Sequence, residues 1–293
     1  MHNLLATNLY FLVTDYYAKI GEMKMRILNG SELASYIKVR QAKTVRTLRQ
    51  SDKIFPKLAI VQTKDDPVIN TYVRLKKRYG EEILVDVDVH FVTMAEAPSL
   101  IKSLNADITV QGIIVQLPLA DPTMTDEIVD MVAPEKDVDS LGKLSTFDPA
   151  TPMAILWLLS GYNIELRGKQ ILLIGRGKLV GAPLEKLLLE SGLNVTVVGK
   201  EVADLAAHTL EADIIITATG SPAILTPAMI KQGAVVVDAG VASEDGRPVG
   251  DLDESVYERQ DLTITPQKGG VGPLTVCSLF ENVIRASQAN RKE

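Results

Sequence analysis

Cysteine is almost absent, for the 293 residues hold only Cys277. A single thiol excludes an internal disulfide and suits a reducing compartment. Cys277 reads either as a nucleophile or as a small apolar residue on a helix, and we favour the second. Histidine is nearly as scarce, at positions 2, 90 and 208. None of these stands near another candidate ligand, so no metal site is expected. No apolar run reaches the roughly 18 residues that a membrane-crossing helix needs, and no membrane association is expected. Basic residues do not predominate either: 31 Lys and Arg against 37 Asp and Glu give a net charge of −6. Such a chain is a poor general binder of nucleic acid, whose phosphates call for clustered cations. The one basic run of note is Arg74 to Arg78.

What is present is globular in kind. Hydrophobic residues make up 46% and charged residues 23%, which argues against global disorder. The length suits two domains. Leu4 to Val13 is apolar enough to suggest a signal peptide. However, no Lys or Arg precedes it, Asn8 interrupts it, and no small-residue cleavage site follows. Residues 1–24 are read as an N-terminal extension, with Met23 or Met25 as a natural start.

From residue 25 onward, short β-branched runs alternate with helical stretches. Lys57 to Val61, Val85 to Val92 and Gly112 to Val115 read as strands. Ser31 is the expected N-cap of the first helix, and Thr93 with Glu96 has capping-box spacing. This β-α-β order implies a parallel sheet with crossover helices. A second unit opens near residue 146, punctuated by Pro149 and Pro152. Ile155 to Leu159 reads as a connecting helix. Strands follow at Gln170 to Ile174, Asn194 to Val198, Asp213 to Ile216, Ala234 to Asp238 and Leu262 to Thr265. The last helix, expected over about Thr275 to Ala289, returns to the first domain.

Between the first two strands of this second unit lies Ile174-Gly175-Arg176-Gly177-Lys178-Leu179-Val180-Gly181. The glycines fall as GxGxxxG, one residue longer than the usual dinucleotide fingerprint. Glycine lets backbone amides face a pyrophosphate at the start of a helix. The next strand ends in Gly199-Lys200-Glu201. Lys200 and Arg176 suit a ribose 2′-phosphate, whereas Glu201 suits a 2′-hydroxyl. The balance favours NADP, with NAD as the alternative.

In the first unit, Tyr72 and Lys76 share one face of a helix. The pair suits proton transfer, although spacing alone favours an ordinary surface pair, since Tyr and Lys are common on helix surfaces. Short-chain dehydrogenases use Tyr-x-x-x-Lys too, but there the pair follows the glycine turn; here it precedes it. Gln116 ends a strand before Leu117-Pro118, where α/β proteins place ligand groups, and is suited to orient a water or hold the lysine. Lys136-Asp137-Val138-Asp139 sets two carboxylates on one side of an extended segment. A carboxylate there can grip a guanidine-like ring edge or a metal, or the segment is a charged loop. Gly269-Gly270-Val271-Gly272-Pro273 marks a loop suited to close ligand approach.

Taken in order, these segments resemble the bifunctional methylenetetrahydrofolate dehydrogenase/cyclohydrolase family from about Met25 to Ile284. The carrying motifs are Tyr72-Val73-Arg74-Leu75-Lys76, Gly112 to Leu119, Lys136 to Asp139, Gly175-Arg176, Val180-Gly181-Ala182-Pro183, Val249-Gly250-Asp251 and Gly269 to Pro273. The resemblance implies an α/β fold of two domains, a catalytic domain and a Rossmann-like dinucleotide-binding domain with a cleft between them. The boundaries expected are 25–145 for the folate-binding domain, completed by helix 275–293, and 146–274 for the nucleotide-binding domain. It implies Lys76 as the central catalytic residue of the hydrolytic step, with Tyr72, Gln116 and Asp139 around it. Asp139, with Tyr72, Gly272 and Pro273, would contact the folate. Gly175, Arg176, Gly177, Lys200, Gly220 and Val241 would contact the cofactor. The implied activity is oxidation of 5,10-methylenetetrahydrofolate to the methenyl form with NADP, then hydrolysis to 10-formyltetrahydrofolate. A cytoplasmic homodimer serving one-carbon metabolism and purine biosynthesis is implied with it. A catalytically impaired folate- or nucleotide-binding protein is the reading from another class.

The chain departs from the family pattern at several places. Gly177 replaces a usual serine, Gly199-Lys200 a His-Ser pair, Ser140 a glycine and Ala150 a cysteine. Ser140 to Pro152 is several residues short. Gln267-Lys268 replaces Val-Pro, and Asp238-Ala239-Gly240-Val241-Ala242 lacks a common asparagine. The departures concentrate on the cofactor side.

Overall fold

The computed structural model describes residues 25–199, 201–244 and 247–289. The 1–24 extension and Lys200 lie outside them. In chain order the elements are β1 (Arg26–Ile27), α1 (Gly30–Thr47), β2 (Lys57–Gln62), α2 (Pro67–Ile83), β3 (Asp86–Phe91), α3 (Ala97–Ala106), β4 (Gly112–Val115) and α4 (Thr125–Asp130). There follow α5 (Ala150–Gly161), β5 (Ile171–Ile174), α6 (Gly181–Glu190), β6 (Val195–Val198), α7 (Leu205–Glu211), β7 (Ile214–Thr217) and β8 (Val235–Asp238). The hairpin β9 (Ala242–Glu244) with β10 (Arg247–Val249), then β11 (Thr263–Ile264) and α8 (Val271–Ala289), complete the chain.

Two compact units result. Of the described residues, one gathers Ser35–Ala150 with 276–289, and the other gathers 25–34 with Thr151–Thr275. The first is built on a parallel three-stranded sheet in the order β3-β2-β4. Its period-two alternation divides the core. Leu58 and Ile60 of β2 and Ile114 of β4 join Val73 of α2 and Phe280 of α8 on one face. Ala59, Val61, Ile113 and Val115 join Ile101 of α3 and Ile128 of α4 on the other. A central strand covered on both sides reads as an apolar run, which is why Lys57–Gln62 shows so little alternation in sequence.

The second unit carries a six-stranded parallel sheet, β1-β11-β8-β7-β5-β6. The order reverses direction at β5, with β6 on one side and β7 on the other. In such sheets the crevice outside the carboxyl ends of those strands takes the ligand. Strand β1 enters this sheet by pairing Arg26 with Thr263 and Ile27 with Ile264. Residues 25–34 thus cluster with the nucleotide-type sheet, although the sequence boundaries group them with residues up to 145. A two-residue strand has too little pattern to announce itself.

Three local expectations change. The first helix starts at Gly30, and Asn29 is its cap: the Asn29 Oδ1 accepts from Glu32 N at 3.2 Å, so Ser31 is inside the helix. Glu96 reaches back to Thr93 N at 2.9 Å, but the Thr93 hydroxyl donates to that same carboxylate, so only half of a capping box forms. Gly272 and Pro273 belong to the first turn of α8, not to the preceding loop. Proline is tolerated there because the first-turn N–H groups have no intrahelical acceptor.

Candidate active site

Helix α2 is set by its amino end. Asp66 caps it, accepting from Val68 N at 2.9 Å and Ile69 N at 3.2 Å, and Pro67 occupies the first turn. Its buried positions Ile69, Val73, Gly80 and Ile83 trace one stripe. Lys76 falls on that stripe, seven residues after Ile69 and seven before Ile83, where the pattern calls for an apolar side chain. Spacing therefore turns the ammonium inward. Lys76 is half-buried, and its Nζ donates to Gln116 Oε1 at 2.7 Å. Gln116 is itself buried at the end of β4, and its Nε2 donates to Leu117 O at 2.9 Å. That second bond fixes which end of the amide meets the lysine.

Burial pushes the Lys76 ammonium below the usual lysine range, and the charge of Asp139 partly offsets this. Asp139 moves the other way, raised by burial and partly lowered by Lys76. Tyr72 stands one turn before Lys76, 37% exposed, with its phenol raised by burial. Lys76, Gln116 and Asp139 are thus brought together, with Tyr72 on the same helix. The two acids of the Lys136-Asp137-Val138-Asp139 segment serve different partners, Asp139 the Lys76 ammonium and Asp137 the loop that follows. The segment forms turns, and buried Asp137 accepts from Gly142 N at 2.9 Å to hold the following loop. Lys136 donates to Leu104 O and Asp107 O, closing the carboxyl end of α3.

The other expected residues lie in the six-stranded unit. Gly175 directly follows β5 with φ +99°, and a Cβ there would meet Ala218 O at 2.5 Å. The turn must carry glycine on both counts. Nothing approaches within 4 Å of where a Cβ at Gly177 would stand. The turn leads into α6, whose N-cap Val180 supplies no capping side chain. Exposed backbone, open space and a free helix start fit a pyrophosphate. Arg176 is exposed and makes two hydrogen bonds to Glu185, at 2.7 and 3.0 Å. Gly220 (φ +62°) follows β7, and a Cβ on it would stand 3.3 Å from Val241 O. Gly220 and Val241 are thus neighbours, and Val241 is 61% exposed. Gly272 and Pro273 stand at the start of α8.

Comparison with known proteins decides the lineage. The tetrahydrofolate dehydrogenase/cyclohydrolase catalytic domain matches residues 28–139, and that family's NAD(P)-binding domain matches residues 149–291. The chain belongs to the tetrahydrofolate dehydrogenase/cyclohydrolase family. The bifunctional protein FolD of Nautilia profundicola is 36% identical over 283 residues, 92% of this chain and 99% of that relative. That of Exiguobacterium sibiricum is 37% identical over 275 residues, 89% and 99% of the two chains. Among solved structures, the FolD dehydrogenase/cyclohydrolase of Campylobacter jejuni superposes with a TM-score of 0.85 at 36% identity, covering 90% of this chain and 99% of that one. The Trypanosoma brucei enzyme, solved with NADP and an inhibitor, gives 0.87 at 27% identity, covering 93% and 100%. Membership accounts for both the parallel two-unit architecture and the glycine turn.

Proposed function

We propose that the protein oxidises 5,10-methylenetetrahydrofolate to the methenyl form with NADP and hydrolyses that product to 10-formyltetrahydrofolate. The observation that carries this is the inward Lys76, bonded to Gln116 and beside Asp139, in a chain of this family. When bound, the nicotinamide supplies the acceptor for the electrons that leave the methylene carbon. The turn around Gly175 to Gly177 would hold its pyrophosphate, and Arg176 with Lys200 would meet a 2′-phosphate. Arg176 would exchange its Glu185 partner for the ligand, a substitution of one bidentate anion by another.

The hydrolytic step is derived from Lys76. The methenyl carbon is a cation that water attacks. Lys76 as the free amine takes a proton from that water, and its lowered pKa raises the share of amine near neutral pH. Gln116 keeps the amine in place. As the carbon–N5 bond breaks, N5 gains one proton and the new hydroxyl loses one to become the formyl oxygen, so one proton is released overall. Asp139, with Tyr72, Gly272 and Pro273, is proposed to contact the folate, the carboxylate accepting from the pterin ring edge.

The outer edge of the three-stranded sheet supports the homodimer as part of this reading. Among the described residues strand β3 has a partner on one side only, and beside Asp86 and Asp88 it exposes Val89 (39%) and Phe91 (62%). An uncovered strand edge is a template for pairing with a second copy. A cytoplasmic setting and a contribution of formyl units to purine biosynthesis go with the same proposal. A coupled spectroscopic assay tests it. Methylenetetrahydrofolate is supplied with NADP or NAD, and reduced cofactor and methenyl intermediate are followed separately. Cofactor reduction without methenyl build-up is expected; no reduction with either cofactor would point to a binding protein instead.

A further inference from the structure

Two acidic side chains at the carboxyl edge of the six-stranded sheet have no part in the chemistry just described. Asp251 is fully buried, and its two oxygens accept separately from Thr219 N at 2.7 Å and Ser221 N at 3.0 Å. Asp238 ends β8 and accepts from Gly240 N at 2.9 Å and from Asp251 N at 3.1 and 2.9 Å. It also accepts from Leu252 N at 3.3 Å and from the Thr217 hydroxyl at 3.2 Å. The packing leaves no slack: a Cβ on Gly250 would fall 2.0 Å from Asp238 Oδ2.

The donors say what is being held. Thr219 and Ser221 flank Gly220, and Gly240 precedes Val241. Asp251 itself is tethered to Asp238 through its backbone. Residues 219–221 and 239–241, two separate loops at strand ends, are therefore fixed to one another through two linked carboxylates. Gly220 and Val241 are both proposed to face the cofactor beyond the glycine turn, and they abut. The adjoining Ala218 carbonyl in turn packs against Gly175. Carboxylate acceptors bonded to backbone amides are among the stronger hydrogen bonds, and the full burial of Asp251 makes its amide bonds costly to lose.

We propose that Asp251 and Asp238 are positioning residues for the nucleotide: a linked pair of carboxylates that holds the loops of Gly220 and Val241 in register with the glycine turn. This rests on the dehydrogenase reading above. It is distinct from a general stabilising role because hydrolysis of the methenyl substrate consumes no nucleotide.

The test compares Asp251→Asn with the parent in both reactions. Asparagine keeps the shape but replaces one acceptor by a donor facing an N–H. The expected result is a KM for NADP raised by roughly tenfold, the effect of one charge-assisted bond. Hydrolysis of supplied methenyltetrahydrofolate should stay within about twofold of the parent, the ordinary spread for a site with no shared partners. Hydrogen exchange at the Thr219 and Ser221 amides should accelerate while β5 and β7 stay protected. An unchanged KM for NADP, or equal losses in both reactions, would overturn the proposal. If Asp251→Asn does not fold, the near-isosteric Thr217→Val removes one donor to Asp238 and should raise the same KM by about threefold, a neutral bond's worth; an unchanged value there also overturns it. Failure of the dehydrogenase reading looks different, since the parent itself would then reduce no cofactor.

Discussion

A lysine on an apolar stripe is the residue on which the site turns. Replacing Lys76 by methionine keeps the length and apolar stem while removing the amine. Hydrolysis is expected to fall by about 10²–10⁴-fold, the range for a lost general base, with no loss of melting temperature. Full retained hydrolysis would exclude Lys76 from the reaction. Asp139→Asn tests the electrostatics. The Asp139 carboxylate holds the Lys76 pKa up against burial, so removing the charge lets that pKa fall further. Hydrolysis carried by the free amine rises with pH, and its ascending limb in kcat should move to lower pH in the variant. A limb that stays put, or moves to higher pH, would sink this account. Ser140 offers a stability test at the same scale. It sits at φ +57°, and its hydroxyl donates to Phe147 O at 2.7 Å. Left-handed backbone costs a non-glycine residue roughly 1–2 kcal/mol, and one such bond returns about 1 kcal/mol. Ser140→Ala loses the bond and keeps the strain, so urea unfolding should report a loss of about 1 kcal/mol. Ser140→Gly loses both and should be close to neutral.

At the scale of the element, α2 carries Tyr72 and Lys76 and depends on its cap. Asp66→Ala removes an acceptor from two first-turn amides, and about 1 kcal/mol of stability should go with it, read from the urea midpoint. This scale also shows what the sequence makes legible. Strands such as Gly112–Val115 are plain because both faces are covered and the run is apolar throughout. The Lys76 position is legible too, once the stripe of Ile69, Val73, Gly80 and Ile83 is drawn and the lysine is seen to interrupt it. The Asp251 linkage is not. Its amide partners stand 30 and 32 residues away, and a backbone amide leaves no mark in the choice of side chain. The short hairpin of β9 and β10 and the two-residue β1 escape for a simpler reason, as two or three residues cannot display a period. The first turn of α8 is hidden by its own Gly272 and Pro273, which in most contexts signal a loop.

For the molecule as a whole, the parallel order of both sheets follows from the β-α-β alternation, and family membership from motifs spread along the chain. The exposed edge strand leads to a prediction at this scale. Phe91→Glu replaces the most exposed apolar side chain of β3 by a charge, a common device against strand pairing. Sedimentation is expected to show the parent as a dimer and the variant shifted towards monomer; a parent that sediments as a monomer would remove the edge argument.

The late position of two partners has a consequence for synthesis on the ribosome. Strand β1 is made first among the strands of the described residues, yet its partner β11 lies at Thr263–Ile264. Phe280, which fills the core beneath the three-stranded sheet, comes later still. Neither unit can finish its core on a nascent chain that lacks its final stretch. Incomplete chains, whether from early termination or stalled translation, would carry an unpartnered strand and an open core together. Such products should be cleared by proteases and holdase chaperones, not persist as half-enzymes.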